Sequence, residues 1–165
     1  MEPSVVVVPT AASMHALGRR LASLLQPGDL VLAIGELGAG KTALTQGIGA
    51  GLDVLGAVIS PTFVLSRVHH SRRGGPALVH VDAYRLADFA EVEDLDLDAS
   101  LADSVTVVEW GAGRAEQLSD DRLDVVIQRS SDPEDETRTV TLTSVGARWS
   151  GIDLALDATP EDIDE

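Results

Sequence analysis

Gly35-Glu36-Leu37-Gly38-Ala39-Gly40-Lys41-Thr42 satisfies every fixed position of the pattern G-x-x-x-x-G-K-[ST]. The pattern has a physical cause. A polyphosphate is held when several backbone N–H groups converge on one concavity. Glycines let the backbone approach and take positive φ where a Cβ would clash. Lys41 is a point charge able to reach outer phosphates, and the Thr42 hydroxyl suits a Mg²⁺ ion bridging them. The first turn of a following helix adds unpaired N–H groups and the positive end of its dipole. The residues so marked as nucleotide-binding are Glu36, Leu37, Gly38, Ala39, Gly40, Lys41 and Thr42.

The flanking sequence supplies the setting this loop needs. Leu30-Val31-Leu32-Ala33-Ile34 is a continuous apolar run that predicts a buried parallel strand. Downstream, Leu44, Ile48 and Leu52 recur every fourth residue and mark one helix face. Lys41 is also the only lysine among the 12 basic residues; every other cation is arginine.

At 165 residues and 44% hydrophobic content, the chain predicts one globular domain over 1–150. Residues 151–165 carry six acids, no base and Pro160, and read as a flexible acidic tail. With no cysteine, thiolate chemistry and disulfides are excluded. No stretch is apolar enough to span a membrane and Met1–Ser13 lacks a basic leader region, so cytoplasm is the default expectation. A net charge of −15 argues against a broad nucleic-acid-binding surface, which needs clustered Lys and Arg.

Along the chain, Val5–Val8 predicts a strand. Thr10 or Ser13 caps a helix running to about Leu25, with Leu17, Leu21, Leu24 and Leu25 inward. Gly47, Gly49 and Gly51 each weaken the loop helix by about 1 kcal/mol relative to Ala, so its far end either frays or packs closely. In Ser60-Pro61-Thr62-Phe63, Pro61 biases Ser60 to extended backbone and sets Thr62 on a constrained loop, where nucleotide switches place a phosphate- or Mg²⁺-sensing hydroxyl. Phe63–His69 and Ala77–Asp82 predict a hairpin about Ser71–Gly75, whose tip arginines, Arg72 and Arg73, read as solvated. Leu123–Gln128 and Thr137–Ser144 predict an antiparallel pair at the sheet end.

Two strand ends carry the remaining chemistry. His80-Val81-Asp82-Ala83-Tyr84-Arg85 brings Asp82 to the end of an apolar run, where an acid orients water, accepts a metal-bound water or pairs with an arginine or a helix cap, and leaves His80 either functional or only hydrogen-bonded structure. Ser104–Glu109 is a β-branched run closed by a carboxylate, as required of a strand that delivers one acid to a Mg²⁺ shell beside a phosphate loop. The seven acids within Leu86–Asp103 have no basic partners and read as a solvated face, with Phe89, Val92, Leu95, Leu97 and Leu101 inward.

Taken in order, the phosphate loop, Ser60-Pro61-Thr62-Phe63, His80-x-Asp82-x-Tyr84-Arg85 and Glu109-Trp110 resemble the bacterial TsaE family, small ATPases of tRNA threonylcarbamoyladenosine synthesis. The likeness covers about residues 1–128. It implies an α/β fold of the P-loop NTPase type, with a mostly parallel central sheet, flanking helices and an antiparallel edge. It implies ATP and Mg²⁺ as ligands and the TsaD–TsaB pair as partners, with tRNA engaged only through that complex. By motif position, Lys41 holds phosphates, Thr42 and Glu109 ligate Mg²⁺, Thr62 belongs to a switch-like loop, Asp82 lies on the γ-phosphate side and Thr10–Ala11 runs along the adenine. The catalytic set implied is Lys41, Asp82 and Glu109, with Glu109 or Asp82 orienting the water; Arg85 is the internal arginine candidate.

Three other readings are distinguishable. A guanine-specific switch reads its base with Asn-Lys-x-Asp, and the single lysine is already spent in the loop. A small-molecule kinase needs an arginine-bearing lid, for which Arg72–Arg73 is the only tip. An ATP-dependent binding module would use nucleotide state to set partner affinity, with hydrolysis incidental.

Overall fold

The computed structural model describes residues 3–36, 38–54, 58, 66–82, 102–109 and 121–160. Among them are seven strands and two α-helices: β1 (Ser4–Val8), α1 (Ala11–Ala22), β2 (Leu30–Gly35), α2 (Lys41–Leu52), β3 (Ser66–His69), β4 (Ala77–Asp82), β5 (Ser104–Glu109), β6 (Arg122–Arg129) and β7 (Arg138–Val145). The strands form one sheet in the order β1-β7-β6-β2-β5-β4-β3. β6, β2, β5 and β4 are mutually parallel. Antiparallel pairings of β7 to β6, β1 to β7 and β3 to β4 complete the two sides. This is the expected α/β class. One detail differs: the β6–β7 pair is not the sheet end, because β1 adds outside β7.

Composition explains the centre of the sheet. β2 is a continuous apolar run and β5 a valine-rich one, and both are buried through most of their length, as parallel strands covered on both faces must be. Val31, Ala33, Val105, Val107, Leu123 and Val125 join Leu17, Leu21, Leu44 and Ile48 of the helices in one core. The alternating residues Leu30, Leu32, Val79, Val81 and Val108 are buried as well. In β6 and β7 the pattern becomes period two, with Leu123, Val125, Ile127, Val140 and Leu142 turned to the same core.

α1 starts where its cap predicts. The Thr10 hydroxyl accepts the Ser13 N–H at 3.0 Å. Its end comes earlier than the leucine spacing suggests, at Ala22 rather than Leu25. There the Ser23 hydroxyl donates to Arg20 O, and Leu24 N and Leu25 N donate to carbonyls three residues back, tightening the chain before Pro27. Leu24 and Leu25 still reach the core from this turn.

Residues 151–160, expected as part of a flexible tail, lie against the domain: Leu154 and Ala158 are buried in the core. The Arg20 guanidinium donates to the carbonyls of Asp157 and Thr159. The apolar spacing Ile152-Leu154-Leu156 outweighs the acidity of this segment. Residues 161–165 lie outside the described residues.

Candidate nucleotide site at the strand ends

The glycine-rich loop connects the carboxyl end of β2 to the amino end of α2, as its sequence predicts. Gly38 and Gly40 take φ of +80° and +115°, the region where a Cβ is disfavoured. Gly40 is the N-cap of α2 and, being glycine, offers no side chain to cap the helix, and no acid occupies the first turn. The helix thus presents its positive end with its own sequence leaving it uncompensated. Lys41 crosses the loop from within, donating from Nζ to Gly35 O at 2.7 Å and Glu36 O at 3.0 Å. It is only 5% exposed. Glu36 O also accepts the Ala39 N–H at 3.0 Å, so two donors share one carbonyl and fix the turn. Thr42 follows as the second residue of α2.

Close helix packing sets the loop's position. Ala39 is buried, and a Cβ on Gly40 would meet Met14 Cε of α1 at 3.2 Å. Further along, α1 and α2 cross at their glycines: a Cβ on Gly18 would fall 2.2 Å from Leu44 O, and one on Gly47 2.1 Å from His15 O. The glycines that weaken α2 as an isolated helix are what allow this contact, so the far end packs closely.

Glu109 closes β5 beside β2, in register with Ala33, and on its other side stands opposite Asp82, the last residue of β4. The sheet therefore brings both predicted acids to adjacent strand ends on the side where the loop opens. Glu109 is buried, with Oε1 3.0 Å from His80 Nε2. Among the described residues no three His, Cys, Asp or Glu side chains gather to hold a metal alone.

A small cleft of about 140 Å³ opens beside the loop, lined by Thr10, Ala11 and Met14 of the α1 start, Gly38–Gly40, Ala43, Glu136 and Arg138. It brings the predicted Ala11 to the loop. Two arginines near the loop were missed by sequence reasoning. Arg138 donates from Nε to Ala39 O at 3.2 Å, so a side chain from β7 braces the loop backbone. Arg129, at the end of β6, pairs directly with Arg138 in register, and its Nη1 lies 4.0 Å from the position of a Cβ on Gly38. Like charges facing each other across strands are unfavourable. The only signal for them was that juxtaposition, visible once the hairpin register is known. Near them the Thr137 N–H, at 2.9 Å, and the Thr137 hydroxyl, with Ser130 and Arg138, hold the Asp135 carboxyl below its ordinary 3.8.

Leu37, Thr62 with its Ser60-Pro61-Thr62-Phe63 segment, Tyr84, Arg85, most of the acidic stretch after Leu86, and Trp110 through Gln117 lie outside the described residues. The predicted tip arginines are placed: Arg73 pairs with Asp53 at 3.5 Å and donates to Gly51 O, which fits a solvated turn tied back to the end of α2.

Comparison with known proteins gives the same assignment throughout. Residues 8–140 match the family model for "Threonylcarbamoyl adenosine biosynthesis protein TsaE". The chain is 60% identical to the Streptomyces coelicolor tRNA threonylcarbamoyladenosine biosynthesis protein TsaE over 145 residues, covering 87% of this chain and 98% of that protein. It is 40% identical to the Bacillus subtilis protein of the same name over 135 residues, 81% of each chain. The crystal structure of Bacillus subtilis YdiB superposes with a TM-score of 0.70 at 29% identity, over 90% of this chain and 89% of that one. The loop, the two strand-end acids and the sheet order thus belong to a chain that is a member of the TsaE family.

Proposed function

We propose that this protein is a Mg²⁺-dependent ATPase that serves threonylcarbamoyladenosine formation in tRNA by cycling a TsaD–TsaB complex through ATP binding and hydrolysis. One observation carries the reading: a loop turned by Gly38 and Gly40, spanned by Lys41, opens onto adjacent strand ends that bear Glu109 and Asp82. Family membership supplies the pathway; the geometry supports the chemistry.

The reaction assigned to the site is phosphoryl transfer to water, in which catalysis is mostly positioning and charge neutralisation. Loop N–H groups and the α2 amino end receive the phosphates. Lys41 already lies inside the loop, where its Nζ contacts the carbonyls of Gly35 and Glu36. Thr42 and Glu109 would hold Mg²⁺, which when bound neutralises charge on the outer phosphates. Asp82, one strand over from Glu109, is the acid assigned to the water side. The cleft walled by Ala11, Met14, Ala43 and Arg138 suits a flat base, with apolar contacts on one side and a guanidinium on the other. With net charge −15, grip on tRNA falls to the partners.

The test pairs two variants in a reconstituted system with TsaD, TsaB and tRNA, read by nucleoside analysis and phosphate release. Lys41→Ala is expected to lower ATP affinity at least tenfold and to abolish modification. Glu109→Ala is expected to keep ATP binding and lose both hydrolysis and modification. If modification survives in Glu109→Ala, hydrolysis is incidental and the protein is a nucleotide-dependent binding module. Equal turnover with and without partners would count against the cycling role.

A further inference from the structure

His80 lies near the end of β4 and is wholly buried. Its Nε2 is 3.0 Å from Glu109 Oε1, and Glu109 is itself only 5% exposed. The register explains the meeting. His80 pairs with Val107 and Asp82 with Glu109, so imidazole and carboxylate are diagonal neighbours on adjacent parallel strands. The other ring nitrogen, Nδ1, is buried and has no hydrogen-bond partner among the described residues. An ionised carboxylate only accepts, so the ring that meets it carries its proton on Nε2. The bare acceptor left at Nδ1 is a smaller penalty than a stranded N–H donor would be.

We propose that His80 is a positioning residue for Glu109: its Nε2–H occupies Oε1, fixes the rotation of the carboxylate and leaves Oε2 to face the divalent cation of bound nucleotide. The inference rests on the reading of Glu109 as a Mg²⁺ ligand. The choice of imidazole has a reason. A buried arginine or lysine would also satisfy Oε1, but would cancel the negative charge that the cation needs. A neutral N–H donor orients the carboxylate and leaves its charge intact. If packing alone were at stake, an apolar pair of similar volume would serve at least as well. Outer partners of this kind change metal affinity by roughly 10–100-fold when removed.

The experiment compares His80→Gln, which keeps an N–H donor at the Nε2 position, with His80→Met, which fills the volume without one. Affinity for a fluorescent non-hydrolysable ATP analogue is measured on the full chain with Mg²⁺ and with EDTA. His80→Met is expected to lose roughly 10–100-fold of the affinity gained from Mg²⁺ while its affinity in EDTA stays within about twofold of wild type; His80→Gln should recover most of that gain. Equal losses with and without Mg²⁺, or an unchanged Mg²⁺ gain in His80→Met, would overturn the proposal. A wild-type protein with no Mg²⁺ gain would instead overturn the reading of Glu109 beneath it. Nitrogen-15 spectra of the wild type test the same point without a variant. The Nε2–H tautomer, with its resonance shifting when Mg²⁺ joins the nucleotide complex, is expected; an Nδ1–H tautomer sinks the idea.

Discussion

Asp29 shows how a carboxylate is kept dry in so acidic a chain. It is 4% exposed, and accepts Arg148 Nε and Nη2 at 2.9 Å each and the Gln26 N–H at 2.8 Å. Arg148 also donates to Leu24 O and lies 4.4 Å over the ring of the fully buried Trp149. Asp29→Ala would strand a largely buried guanidinium, so a loss of about 3 kcal/mol is expected in urea unfolding. Arg148→Met would strand the still more buried Asp29 carboxylate and should lose at least as much. Among single residues, the sequence made placement legible where chemistry dictates spacing: the loop pattern puts Lys41 and Thr42 at the start of α2, and the β-branched run puts Glu109 at the end of β5. It was silent about Arg138, whose partner is a backbone carbonyl 99 residues away. It also left His80 undecided, because a lone histidine carries no mark of what it touches until strand order is known.

Helices α1 and α2 meet through glycine, and the close approach brings the phosphate loop against the start of α1. Gly47→Ala gains about 1 kcal/mol in helix propensity. Its Cβ, however, would sit 2.1 Å from His15 O, backbone that cannot rotate away. The helices must separate, and a net loss of about 2 kcal/mol is expected in thermal melting, together with weaker ATP binding because the loop moves with α2. A Gly47→Ala variant as stable as wild type would show that the crossing is looser than drawn. Most elements were legible from periodicity: the period-four leucines of α2, the apolar run of β2 and the alternation of β6 and β7. The end of α1 was not, because Leu24 and Leu25 stay packed against the core after the helix has closed into a turn. The place of β1 was not, because Val5–Val8 predicts a strand without naming its neighbour.

Over the whole molecule, the sheet order gathers chemistry from β2, α2, β4, β5 and β7 at one end, and the terminal segment closes against α1. The Asp157 carboxyl is held below its ordinary 3.8 by the Thr159 N–H at 2.6 Å, then by the Thr159 hydroxyl and Arg20. A depressed folded value means that the unfolded chain binds the proton first. The contribution is therefore complete above about pH 3.8 and disappears as pH falls through the lower, folded value. Asp157→Asn should accordingly differ from wild type near neutrality and converge with it in acid, as followed by denaturation across that range. The net charge of −15 sets a further expectation: alone, the protein should not retard tRNA in a gel at physiological salt, and tight binding without partners would contradict it. The docking of residues 151–160 through Leu154 and Ala158 was not legible because acidity masked the spacing of their apolar residues. A last consequence belongs to Lys41, the sole lysine and only 5% exposed. The protein offers acylating reagents one side-chain amine, and that amine lies across the loop. Succinimidyl ester labelling read by mass spectrometry becomes a gauge of how often the loop opens, and of whether a nucleotide has arrived to shield it.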